Sequence, residues 1–212
     1  MIVNERVVSY INSLDRGNSD ICNTIEKEAI EDQVPIIRKE MGNLLKVLLK
    51  LKQPGSILEV GTAVGYSSIL MSENMPEKCT ITTIENYDKR IPIARNNFKR
   101  AGKEDCIRLI EGDAMEVLKE LEGPYDFIFM DAAKGQYINY LPDILRLMPS
   151  GGLLISDILQ EGELVESRYV VTRRDRTIHT RIREYVYELT HNDELITSIV
   201  PIGDGITLSV KK

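Results

Sequence analysis

The stretch Ile57–Ser68, ILEVGTAVGYSS, decides how the rest of the chain is read. A short apolar run broken by Glu59 leads into Gly61 and Gly65, four positions apart, and a helical pattern follows at once. Glycine at the end of a strand permits a tight turn and lets a ligand approach the backbone. In parallel α/β sheets, ligands bind at the carboxyl ends of strands. A dinucleotide loop would carry G-x-G-x-x-G and pass a pyrophosphate to the helix N-terminus. The spacing here differs, and a carboxylate just before the first glycine would repel phosphate.

Working outward, short apolar runs recur at Ser56–Val60, Thr80–Ile84, Ile107–Ile110, Phe127–Met130 and Leu153–Ser156. Between them the 3.6-residue pattern predicts helices over Ser67–Met75, Asp88–Ala101, Ala114–Leu121 and Tyr137–Met148. Asp88 reads as an N-cap and Gly102 as the glycine just past a helix end. Continuously apolar strands alternating with helices signal a parallel sheet covered on both faces. Ile196–Pro201 and Ile206–Val210 flank the turn cluster Ile202-Gly203-Asp204-Gly205 and predict an antiparallel hairpin at one edge. Before Pro54 the pattern is helical, with Val7, Val8, Ile11 and Leu14 on one stripe and Met41, Leu44, Leu45, Leu48 and Leu49 on another. Pro35 suits the first turn of that second helix, over Ile36–Lys52. The expectation is one α/β domain over 1–212, with N-terminal helices over 1–52 and an α/β core over 53–212.

Composition narrows the setting. The chain has 212 residues, 42% of them hydrophobic, enough to bury a core in one domain. No apolar run approaches the roughly 18–20 residues a membrane span needs. The N-terminus reads as an amphipathic helix rather than a signal peptide. Cys22, Cys79 and Cys106 show no metal-type spacing, so a reducing, cytoplasmic setting is expected, with Cys79 and Cys106 as small half-buried core residues. A net charge of −6 argues against coating by nucleic acid over the whole surface. Locally, however, six arginines against one acid fall between Arg168 and Arg183.

Three strand ends carry ligand-type residues. Glu59 suits the cationic methionyl end of S-adenosylmethionine, and Glu85 could accept both ribose hydroxyls. Gly112-Asp113-Ala114 offers an acid and an amide to adenine. At the fourth and fifth strands, FIFM runs into Asp131-Ala132-Ala133-Lys134 and GGLLIS into Asp157. Neighbouring parallel strands would set Asp131 and Asp157 at one rim, where paired acids share a proton, bind a hard cation or merely cap the next segment. Lys134 would sit beside the same point. Together with the terminal hairpin, the layout is that of a Rossmann-like class I methyltransferase with a mostly parallel seven-stranded sheet.

From about Val34 onward the chain resembles the cation-dependent O-methyltransferases of the catechol and caffeoyl-coenzyme A type. LEVGTAVGYSS, the strand ending in Glu85, GDA, FMDAAKGQY, GGLLISD and PIGDGITLSVKK carry the resemblance. Within the family it is most similar to the bacterial branch that methylates 5-hydroxyuridine at the tRNA wobble position. The resemblance implies a homodimer and magnesium or another divalent cation on Asp131 and Asp157. It implies Lys134 and Asp131 as catalytic residues, and cofactor contacts from the segment Ile37–Lys39, with Ile37 and Lys39 at its ends, and from Glu59, Gly61, Tyr66, Ser67, Glu85, Asp113, Ala114 and Asp131. One position departs from the family pattern, because Ile158 stands where an asparagine ligand is expected. More water, recruitment of Gln160 or Glu161, or loss of the metal are the three outcomes; weakened magnesium binding with retained activity is the expectation.

The arginine-rich stretch points to phosphate, with Arg173, Arg174 and Arg176 as candidate tRNA contacts. Within it His179 reads as a surface residue, and His191 as a helix terminus. A small hydroxylated aromatic or acyl-thioester substrate is the second reading. A protein that binds the cofactor without transferring methyl is the third.

Overall fold

Each of the five apolar runs forms a strand in the computed structural model, which describes residues 4–158, 176–203 and 205–212. β1 (Ser56–Val60), β2 (Thr80–Glu85), β3 (Ile107–Glu111), β4 (Phe127–Met130) and β5 (Leu153–Asp157) are parallel. β6 (Leu195–Val200) and β7 (Ile206–Lys211) form the expected hairpin, with β7 also antiparallel to β5. The sheet order is β3-β2-β1-β4-β5-β7-β6.

Eight α-helices are described: α1 (Glu5–Ser13), α2 (Asp20–Glu31), α3 (Lys39–Lys52), α4 (Tyr66–Asn74), α5 (Ile91–Arg100), α6 (Ala114–Glu120), α7 (Tyr137–Leu147) and α8 (Arg176–His191). Alternation along the strands divides the core into two layers. Ile57, Phe127, Phe129 and Ile155 pack with buried residues of α2 to α5, such as Ile25, Leu45, Ile69 and Phe98. Leu58, Val60, Ile128, Met130 and Leu154 pack with Leu118, Ile144, Ile182 and Leu189 from α6, α7 and α8. Burying each such side chain contributes about 1.5–3 kcal/mol relative to leaving it exposed.

Three expectations are corrected. Pro35 does not begin a helix, because α3 starts only at Lys39 and the segment before it stays non-helical. A proline biases its predecessor away from helix, and nothing in the stripe of apolar residues marked the later start. Asp88 does not cap α5, which starts at Ile91 after Arg90, with Pro92 in its first turn where no amide donor is needed. His179 is not a surface residue: it is 5% exposed, on the same stripe of α8 as Ile182, Tyr185 and Leu189. By contrast Gly102 does follow the end of α5, at φ +63°. His191 does end α8. Cys79 is buried and Cys106 partly so.

α1 buries none of its residues, and Val7, Tyr10, Ile11 and Leu14 are exposed. No helix among the described residues is long and apolar enough to cross a membrane.

Candidate active site

Strand order reverses between β1 and β4, and at such a switch point the loops diverge and leave a crevice at the carboxyl edge. The β1–α4 loop closes one side of it. Gly61 has φ +105°, and a Cβ there would lie 2.0 Å from the Asp131 carbonyl oxygen. Gly65 has φ +84°, and a Cβ there would lie 2.5 Å from Phe98 Cε1. Both glycines are therefore required by close approach as well as by conformation. The loop is tied to β2 through Glu85. Its Oε2 accepts from Ala63 N at 2.8 Å, and its Oε1 from Asn86 N at 3.0 Å and Tyr87 N at 2.9 Å.

Glu59 is fully buried and does not itself line the crevice, although Ser67, which it binds, does. Strand parity sends it to the α4 side, opposite to Leu58 and Val60. There it accepts hydrogen bonds from Ser67 Oγ (2.5 Å), Ser68 Oγ and Thr83 Oγ1 (2.5 Å). Burial pushes its carboxyl above the usual range, and the three hydroxyls only partly offset this. A carboxyl whose value is raised on folding adds stability at low pH, and this is lost as pH rises from the ordinary carboxylate range towards the folded value. We therefore expect Glu59→Gln to flatten that fall. In denaturant titrations at about pH 5 and pH 8, the wild type should lose ground to the variant at the higher pH. A gain for the wild type at the higher pH would contradict the assignment.

The crevice is a cavity of about 570 Å³, within the ordinary range for small-molecule sites. Of the residues expected from sequence, Ile37, Gly61, Tyr66, Ser67, Glu85, Ala114, Asp131, Lys134 and Asp157 line it. Lys39 instead begins α3 and lies 3.9 Å from Glu26. Asp113 caps α6, accepting from Met115 N at 2.8 Å, while its neighbours Gly112 and Ala114 face the cavity. Arg176 opens α8 and does not line the cavity. Arg173, Arg174, Gln160 and Glu161 lie outside the described residues.

Arg38, within the expected segment Ile37–Lys39, also lines the cavity, whereas sequence reasoning missed Met41, Tyr87, Arg90, Ile178 and Ile202, which line it too. Tyr87 and Arg90 had a usable signal. They follow the end of β2 closely, and the Arg90 guanidinium sits 5.4 Å from the Tyr87 ring centre. Ile178 and Ile202 had none, since they arrive from α8 and the β6–β7 turn.

At the far end of the cavity, β4 and β5 pair Met130 with Ser156, so Asp131 and Asp157 follow at the same rim. Lys134 lies in a single 3-10 turn (Lys134–Gln136) and donates to Asp157 Oδ2 at 2.6 Å. Burial, and then the neighbouring Asp157 carboxylate, push the Asp131 carboxyl up to about 7, with Lys134 opposing the shift. Two oxygen-donor acids against one lysine leave negative charge in a half-closed site. That donor set suits a magnesium-type cation, which keeps several waters and takes one or two carboxylates. Among the described residues no third His, Cys, Asp or Glu joins Asp131 and Asp157 in a metal-holding group. Ile158 is buried in the α6–α8 layer, and its amide donates to Gly205 O at 2.9 Å.

Comparison with known proteins agrees with this architecture. The chain is 32% identical over 169 residues to a catechol O-methyltransferase of Niastella koreensis, covering 76% of each chain. It is 33% identical over 182 residues to caffeoyl-CoA O-methyltransferase 2 of Populus trichocarpa, covering 79% of this chain and 71% of that one. The structure superposes on an O-methyltransferase from Bacillus cereus in complex with S-adenosylhomocysteine with a TM-score of 0.85 at 25% identity, over 98% of this chain and 97% of the other. A family model described as O-methyltransferase matches residues 16–212. With the glycine loop, Glu85 and the Asp131–Lys134–Asp157 cluster on one rim, the chain belongs to the S-adenosylmethionine-dependent O-methyltransferase family.

Proposed function

We propose that this enzyme methylates a phenolic hydroxyl of a small aromatic acceptor carrying an adjacent second hydroxyl. One observation carries the reading: the Lys134–Asp157 pair and Asp131 share a cavity with an apolar wall of Ile36, Ile178, Ile202 and Ile206. Branched aliphatic side chains suit the faces of a flat ring, and the cluster suits its oxygens. The names of the catechol and caffeoyl-CoA relatives support the same class. The homodimer is part of this proposal, supported by the exposed apolar stripe of α1.

In this reading the glycine loop admits the donor, and Glu85 accepts from its ribose hydroxyls. S-adenosylmethionine supplies a sulfonium methyl, and the O–C bond forms as the C–S bond breaks, its electron pair returning to sulfur. Lys134, oriented by Asp157, accepts the hydroxyl proton at Nζ or, as the ammonium, stabilises the oxyanion. Holding oxygen in line with methyl and sulfur supplies most of the remaining rate. A divalent cation, when bound, would be held weakly by Asp131 and Asp157 and would lower the acceptor's pKa.

The tRNA reading keeps one supporting observation. Arg176, Arg181 and Arg183 lie on α8, the helix that also contributes Ile178 to the cavity. Labelled S-adenosylmethionine, offered with magnesium or chelator to a catechol panel and to hydroxyuridine-containing tRNA, separates the two. Label should enter catechols, less so with chelator. Label in tRNA alone would reverse the order. Cofactor binding without transfer to any acceptor would instead mark a catalytically silent protein.

A further inference from the structure

Two buried tyrosines lie beneath the reacting rim, and neither has a part in the chemistry above. Tyr137 is the first residue of α7 and is fully buried. Its phenol folds back under its own loop, donating to Met130 O at 3.2 Å and accepting from Ala132 N at 3.0 Å. Those two backbone groups flank Asp131. Tyr185 reaches in from α8, also fully buried, and shares a 2.6 Å hydrogen bond with Ser156 Oγ. Ser156 directly precedes Asp157 and is the sheet partner of Met130. The two rings meet edge to face, centroids 5.4 Å apart and planes at 72°.

We propose that Tyr137 and Tyr185 are positioning residues that together set the spacing of Asp131 and Asp157, and with it the placement of Lys134. The inference rests on the reading of that cluster as the reacting end. Each phenol grips the backbone or side chain beside one carboxylate, and their contact makes the two grips one unit. Edge-to-face packing resists sliding because the ring edge meets the other ring's electron-rich face. Tyr137 also fixes both ends of Asp131 at once, so the Met130–Ala132 corner cannot relax without breaking a hydrogen bond. Phenylalanine would fill the same space but could make neither of these backbone hydrogen bonds. Displacements near 1 Å at a reacting group are enough to cost about a hundredfold in rate.

The test compares Tyr137→Phe, Tyr185→Phe and Ser156→Ala with the wild type on a catechol that the wild type methylates. Each should lower kcat by roughly ten- to a hundredfold, while KM for the acceptor and the dissociation constant for S-adenosylhomocysteine stay near the wild-type values. Tyr185→Phe and Ser156→Ala break the same bond from opposite sides, so their losses should match and should not add in the double variant. Unchanged kcat with a lowered melting midpoint would reduce the pair to packing and overturn the proposal. If Tyr137→Phe does not fold, Ser156→Ala decides alone, because it removes one oxygen from a small buried side chain. Lys134→Ala serves as the reference. If it leaves turnover intact, the reading of the cluster fails; if it abolishes turnover while the Phe variants are fully active, only the positioning role fails.

Discussion

Gly61→Ala is expected to abolish cofactor binding and to lower stability by more than about 3 kcal/mol. Two penalties coincide at this position. The backbone sits at φ +105°, outside the regions an L-residue with a Cβ adopts readily. The new methyl would also meet the Asp131 carbonyl oxygen at 2.0 Å, with Ala132 Cα at 3.3 Å. Both neighbours are backbone, so no side-chain rotation relieves the collision. Relief requires the ends of β1 and β4 to part, although Asp131 N donates to Val60 O at 3.0 Å across that very join. A chain of this size loses about 2–4 °C of melting midpoint per kcal/mol, so a fall of about 6–12 °C or more is expected. Gly102→Ala is the matched control: φ is +63°, but nothing lies within 4 Å of the added Cβ. It should cost only the left-handed conformation, about 1–2 kcal/mol, and leave cofactor affinity alone. Wild-type affinity and melting in Gly61→Ala would refute the geometry of the loop.

Lys134→Ala should reduce turnover by roughly 10²- to 10⁴-fold, the range of a lost general acid–base group, with cofactor affinity little changed. Lys134 pairs with Asp157 at the acidic rim, its Nζ 2.6 Å from Asp157 Oδ2. Its loss removes the charge that opposes the upward shift of the Asp131 carboxyl. The Asp131 carboxyl would then hold a proton more firmly just where an acceptor hydroxyl must lose one. Titration calorimetry with S-adenosylhomocysteine, run beside steady-state rates, separates the effects. Equal losses in affinity and turnover would mean that Lys134 supports the donor site and is not the group serving the acceptor oxygen.

Much of this site was legible from residues alone. β1, β2, β4 and β5 are buried on both faces and leave short, largely apolar runs, and the ends of β2, β4 and β5 fall where Glu85, Asp131 and Asp157 stand. Two glycines four apart survive as a signal because the Asp131 backbone crowds the first and the Phe98 ring the second, each at a positive φ. Lys134 follows Asp131 closely enough for a short turn to bring it to the rim. Glu59 was half legible. Its place before the glycine was visible, but its direction depends on strand parity, which sends it towards Ser67, Ser68 and Thr83, so that Ser67 and not Glu59 lines the cavity.

Other features depend on contacts between elements far apart in the chain, which leave no local pattern. The non-helical segment after Pro35 lines the cavity, and its role comes from α3 starting late. Ile178 and Ile202 meet the site only because α8 and the terminal hairpin return to the same sheet edge. Ile158 could be read as a missing ligand, but its burial in the α6–α8 layer is a matter of packing. So is the contact between Tyr137 and Tyr185, 48 residues apart, beneath the two acids. The sequence by itself therefore determined the sheet, the donor loop and which acids meet at the rim, because periodicity and steric exclusion act within a few residues. Only the tertiary structure decided which way Glu59 faces, what walls the acceptor end and what holds the two acids in place, because those depend on how separate layers close over one another.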